Sequence, residues 1–141
     1  MADEQRYEFF DHTADMGIRA TGGTLAELFT RMAQGLTELI AEDSPLQPRE
    51  RRTIQLTAAD APSLLLAWLT ELLFWFSTDQ FLPVRCTLEQ ATPITLQGVV
   101  EGERFDPARH VQGREVKAIT RHLLKVRQRN GSWEGQVVVD I

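Results

Sequence analysis

The side chains best suited to chemistry are carboxylates near the two ends of the chain. Asp11, His12 and Asp15 share one polar run, Asp11-His12-Thr13-Ala14-Asp15, and Asp140 precedes Ile141 with its terminal carboxylate. Glu103 and Asp106 add two more acids in a later polar stretch. Hard oxygen donors of this kind suit calcium or magnesium, which accept a few protein ligands and complete their shells with water. If the ends of the chain meet, they meet at one cation. The commoner use of Asp11 and Asp15 in such a run is to close Asx-type turns. His12, His110 and His122 are the candidate general bases or further ligands, although a histidine beside turn residues or on a core-facing strand is more often hydrogen-bonded structure. The sequence holds no phosphate-cradling glycine loop, nucleophile elbow or HExxH helix.

The elements that must position these groups can be read from spacing. Tyr7 to Phe10 and Gly17 to Ala20 are strand-like on either side of the polar run, which is expected as a loop or bulged connection. Thr24-Leu25-Ala26-Glu27 has the form of a capping box. From there Leu25, Leu28, Phe29, Met32, Leu36, Leu39 and Ile40 make one apolar stripe of a core-facing helix. Thr53 to Thr57 alternates as a strand, and Asp60 can cap a second helix with Pro62 in its first turn. That helix is apolar nearly all round, with Glu71 its lone acid, and falls short of a bilayer span. Strands are expected over 82–88, 94–100 and 116–126, with 101–113 as a polar loop.

Asn130-Gly131 between two alternating runs marks a two-residue hairpin. A regular ladder from that turn sets Gln128 against Trp133, His122 against Val139 and Arg121 against Asp140. One face then carries His122, Leu124, Val126, Trp133, Val137, Val139 and Ile141 toward the core. The other carries Arg121, Lys125, Arg127 and Arg129, a basic stripe able to meet RNA phosphate or an acidic protein face, or simply water. The order predicts an α+β fold in which two helices pack on one mainly antiparallel sheet.

At 141 residues the chain fits a single domain, 1–141. Its 25% charged and 43% hydrophobic residues are those of an ordinary globular protein. A net charge of −5 argues against general attraction to nucleic acid. That charge is uneven: residues 1–100 hold seven basic and fourteen acidic side chains, net −7, and residues 101–141 hold eight and six, net +2. The lone Cys86 removes any internal disulfide and fits a reducing, cytoplasmic setting, and the acidic start lacks the pattern of a secretion signal.

Three stretches together resemble the archease family: Asp11 through Ala20 (HTAD followed by MGIRA), Trp68 through Phe74, and Gly102 through Thr120 with its Glu115-Val116-Lys117-Ala118-Ile119-Thr120 segment, closed by Asp140-Ile141. The resemblance spans nearly the whole chain and implies an archease-like strand-helix-strand-strand architecture. It also implies a non-enzymatic role, as the activator of an RtcB-type RNA ligase in tRNA splicing or RNA repair. Such activators promote guanylylation of the ligase with GTP and its multiple turnover. The family's divalent-cation site, calcium before magnesium or manganese, is carried over to Asp15, Asp140 and Ile141, with Asp11 as a supporting acid. Arg121 stands where the family commonly has an aromatic residue, and opposite Asp140 it would weaken the cation. Other readings are a metal-dependent phosphohydrolase built on Asp11, His12, Asp15 and Asp140, and a chaperone-like or RNA-binding module without metal.

Overall fold

The computed structural model describes residues 7–12 and 15–141, the side chains of residues 11 and 12 excepted. Strands β1 (Tyr7–His12) and β2 (Asp15–Gly22) form an antiparallel pair, so Asp11, His12 and Asp15 stand at strand ends rather than in a loop. Helix α1 (Leu25–Ile40) follows with the expected cap: Thr24 Oγ1 accepts from the Glu27 N–H at 3.1 Å. Glu27 reaches one residue further back than expected and accepts from Gly23 N–H at 2.6 Å. Its stripe is wholly inside, with Leu28, Phe29 and Met32 at zero exposure.

Strand β3 (Glu50–Thr57) leads into α2 (Ala61–Asp79), capped by Asp60 accepting from Ser63 N–H at 2.9 Å. By length and composition α2 passes for a membrane span, longer than the sequence reading allowed. Its Leu64, Leu65, Trp68 and Leu69 are instead wholly buried in the fold. The indole Nε1–H of Trp68 donates to the Phe29 carbonyl at 2.9 Å and so ties the two helices together. Strands β4 (Phe81–Ala91), β5 (Thr95–Arg104), β6 (Ala118–Arg129) and β7 (Ser132–Asp140) complete the fold. The strand β5 runs on to Arg104, so Glu101 to Arg104 belong to a strand and not to the polar loop.

The α+β class holds, but the strands form two antiparallel sheets where one was expected. One has the order β1-β2-β7-β6 and the other β3-β5-β4, each held by its own ladders. Helix α1 packs on β2 and β4, and α2 on β6 and β4, so both helices bridge the two sheets. One core results, containing Ile18, Val137 and Val139 from the first sheet and Ile54, Phe81, Leu96 and Val100 from the second.

The β6–β7 hairpin departs from the regular ladder at one place. Asn130 and Gly131 both have positive φ, 54° and 80°, as a type I′ turn requires, and Gln128 pairs with Trp133 as expected. The register shifts between Thr120 and Lys125, after which Ala118, not Arg121, is the partner of Asp140, and Ile119, not His122, that of Val139. Leu123 sits inside this bulge at φ 56°, a left-handed conformation that costs a side-chain-bearing residue about 1–2 kcal/mol. The extra residues turn His122 outward, so it is exposed and not part of the core face. Arg121 is carried toward Asp60 at the start of α2. There its charge adds to the hydrogen bonds from Ser63 in holding that carboxyl below its usual range.

Candidate functional site

The outer face of the four-stranded sheet can be followed row by row, because residues in register across a sheet project to the same side. Met16, Ile18, Val137 and Val139 point into the core, so their strand neighbours Asp15, Gly17, Arg19, Gln136, Val138 and Asp140 face outward. The row at the end of the sheet is His12–Asp15–Asp140–Ala118, one residue from each strand. Asp11 falls in the neighbouring row with Met16, Val139 and Ile119. The side chains of Asp11 and His12, and all of Thr13 and Ala14, lie outside the described residues, so the supporting-acid and histidine roles are left with their register positions alone.

Asp15 and Asp140 are therefore direct cross-strand partners, both half-buried. Directly opposed side chains lie with Cβ atoms about 4.5–5.5 Å apart, where two like charges repel unless a cation sits between them. Among the described residues, no guanidinium or ammonium forms an ion pair with either carboxylate. The chain end is fixed beside them: Ile141 packs its side chain against the core, and the Asp140 carbonyl accepts from Lys117 N–H at 2.7 Å. The Lys117 side chain is exposed. Among the described residues no three His, Cys, Asp or Glu side chains converge on one point. The two opposed carboxylates offer oxygen alone, the donor type of hard cations that keep water in their shells.

The other acids singled out by sequence go elsewhere. Glu103 lies on β5 of the second sheet, 4% exposed, and takes hydrogen bonds from Gln47 N–H at 2.9 Å, Arg49 Nε at 2.7 Å and the Arg109 guanidinium. Burial raises its carboxyl pKa, but the bonds from Arg109, Gln47 and Arg49 outweigh that and hold it down at about 2. Asp106 accepts from Ala108 N–H at 3.0 Å and pairs with Arg109 at 3.2 Å. His110 is also built into this cluster. Its Nδ1 accepts from Asp106 N–H at 2.8 Å, which places the ring proton on Nε2, 3.4 Å from Glu103. Burial pushes the Cys86 thiol up to about 12, which disfavours the thiolate form.

Sequence spacing missed this arginine-glutamate cluster, since Arg49 and Glu103 are brought together only by the loop that enters β3. It also missed Arg19, which shares a row with Glu8, Gln136 and Lys125 on the outer face. The available signal was Arg19's odd-numbered place on the same strand as Asp15.

Three comparisons place these features. The pattern of the Archease protein family matches residues 7–141. A "Protein archease" of Sulfurisphaera tokodaii is 35% identical over 138 residues, covering 97% of this chain and 99% of that one. The solution structure of Methanobacterium thermoautotrophicum protein 1598 superposes with a TM-score of 0.77 at 32% identity, over 96% of this chain and 98% of that one. A crystal structure from Thermotoga maritima, of an archease described as a possible chaperone, shares the fold with a TM-score of 0.60 at 16% identity, over 99% of this chain and all of its own. The chain with the opposed Asp15 and Asp140 belongs to the archease family.

Proposed function

We propose that this chain is a protein activator of an RtcB-type RNA ligase, promoting ligase guanylylation with GTP and multiple turnover in tRNA splicing or RNA repair in the cytoplasm. In this reading it is not itself an enzyme. Asp15, Asp140 and the terminal carboxylate of Ile141 hold a divalent cation, calcium by preference and magnesium or manganese as substitutes. The single observation that supports the reading is the direct opposition of Asp15 and Asp140 with no basic side chain between them. The Arg121 objection falls away with the bulge, which sets Ala118 beside Asp140.

When bound, a divalent cation neutralises phosphate charge that develops during nucleotidyl transfer. The chain's own part is to hold the two carboxylates in register at the rim of a rigid sheet, where Met16 and Val139 anchor the next row into the core. A rim site can be presented to another protein's nucleotide pocket without unfolding either partner. The test is ligase guanylylation followed over several turnovers with GTP in defined divalent metal, with and without this chain. Stimulation beyond one turnover is expected; equal rates in every metal would end the activator reading.

A further inference from the structure

Some 13 Å along β2 from the acidic row, taking about 3.3 Å per residue, the same outer face changes sign. Arg19 and Thr21 on β2 form one wall of a trough, Lys125, Arg127 and Arg129 on β6 the other, and Glu134 and Gln136 on β7 the floor. The trough encloses about 280 Å³. Four cations face one acid in its lining, on a chain whose net charge is −5. Internal pairing leaves this excess in place. Arg127 and Arg129 share the single Glu134 at 3.0 and 3.7 Å, and Arg19 is held by Glu8 at 3.1 Å and by Gln136 at 3.1 Å. Among the described residues Lys125 has no acid within ion-pair distance.

We propose that this trough binds the phosphodiester backbone of a single-stranded nucleic acid, independently of sequence. Lys125, Arg127 and Arg129 project from one face of β6 beyond its bulge, where the pairing with β7 is regular, and repeat about every 6.7 Å, so a polyanion with regularly spaced charge can meet all three. The pairing of Arg19 with Glu8 and Gln136 holds the opposite wall in place. A phosphodiester carries a charge on each backbone unit and needs no side chains to present it. An acidic peptide presents its charge on side chains that must be ordered, and its main chain could pair only with the β6 edge beside the trough, not within the trough itself. The Thr21 hydroxyl is a group that commonly serves phosphate and sugar oxygens, while the Gln136 amide is occupied, accepting from Arg19 Nε at 3.1 Å and donating to the Leu123 carbonyl at 3.0 Å. No aromatic ring lines the trough, so bases are neither stacked nor read.

The inference does not depend on the ligase reading, and its test uses this chain alone. Fluorescein-labelled dodecamers of uridylate and of thymidylate are titrated with the protein, and anisotropy is read at several salt concentrations. Three phosphate contacts predict a slope of log K on log salt of about −2, or roughly a 20-fold loss of affinity between 50 and 200 mM, alike for both oligomers. Lys125→Gln, an exposed substitution that keeps the strand, reduces the slope by about 0.7. The pair Lys125→Glu and Arg129→Glu weakens binding at least tenfold, whereas Arg85→Glu with Arg51→Glu, the same charge change on the other sheet, does not. Absence of salt-dependent binding at 50 mM, or equal loss in both double variants, overturns the proposal. So does equal affinity for an oligoglutamate peptide, which would mark the trough as a seat for an acidic protein.

Discussion

Asp15, the first residue of β2, stands directly opposite Asp140, the last residue of β7, so two carboxylates from the far ends of the chain share one row of the sheet. An uncompensated pair of this kind costs stability, by about 0.2–1 kcal/mol for like charges directly opposed. The fold tolerates it at a rim, where both side chains keep partial contact with water.

The opposition gives a cation a measurable effect on folding. Calcium at a hundred times its dissociation constant should raise the unfolding free energy by about 2.7 kcal/mol. In Asp15→Asn or Asp140→Asn this increment should be lost, while the metal-free variant gains a few tenths of a kcal/mol from relief of repulsion. Chemical denaturation with calcium and with a chelator checks both signs. An equal calcium response in wild type and variants would remove the cation from this row.

Glu103 predicts a particular acid limb of the stability curve. Its carboxyl is held at about 2 in the fold against an ordinary 4.5, so the unfolded chain takes up the proton first. Its contribution is complete above about pH 4.5 and is lost as pH falls toward about 2. Glu103→Gln should flatten that limb and, by leaving Arg49, Arg109 and His110 without their shared anion, cost about 1–3 kcal/mol at neutral pH. Denaturation midpoints from pH 2 to 7 would show this.

Trp68 should reveal the coupling of the helices. Trp68→Phe removes the hydrogen bond to the Phe29 carbonyl and leaves that buried acceptor one donor short, for about 1–3 kcal/mol. Trp68→Ala adds a cavity at a fully buried site and should cost about 3–5 kcal/mol. Urea midpoints for the two variants separate the polar share from the packing share.

Much of this architecture was legible in the residues themselves. The capping box at Thr24, the stripe from Leu25 to Ile40 and the Asn130-Gly131 turn are local signals, and each is where spacing placed it. The division into two sheets was not legible, because it depends on which strands pair across long separations, and alternation is the same in either arrangement. The shift between Thr120 and Lys125 was hidden for a related reason. Arg121, His122 and Leu123 carry no glycine or proline to announce a bulge, and Leu123 adopts its left-handed φ without any local residue preference for it. That one irregularity reversed the expected place of Arg121 and returned Asp140 to an uncharged neighbour. Asp15 and Asp140 could be named from type alone, but their shared row follows from the pairing of β2 with β7, which no local pattern encodes.

The most direct test of the central claim compares wild type with Asp15→Asn and Asp140→Asn as activators of an RtcB-type ligase. Guanylylated ligase is counted per turnover with GTP in defined calcium and magnesium, after circular dichroism has shown wild type, both single variants and the double variant folded. The account predicts that wild type sustains repeated turnover and that either substitution reduces it at least tenfold, with the double variant no worse than each alone. Full stimulation by a folded double variant would contradict it.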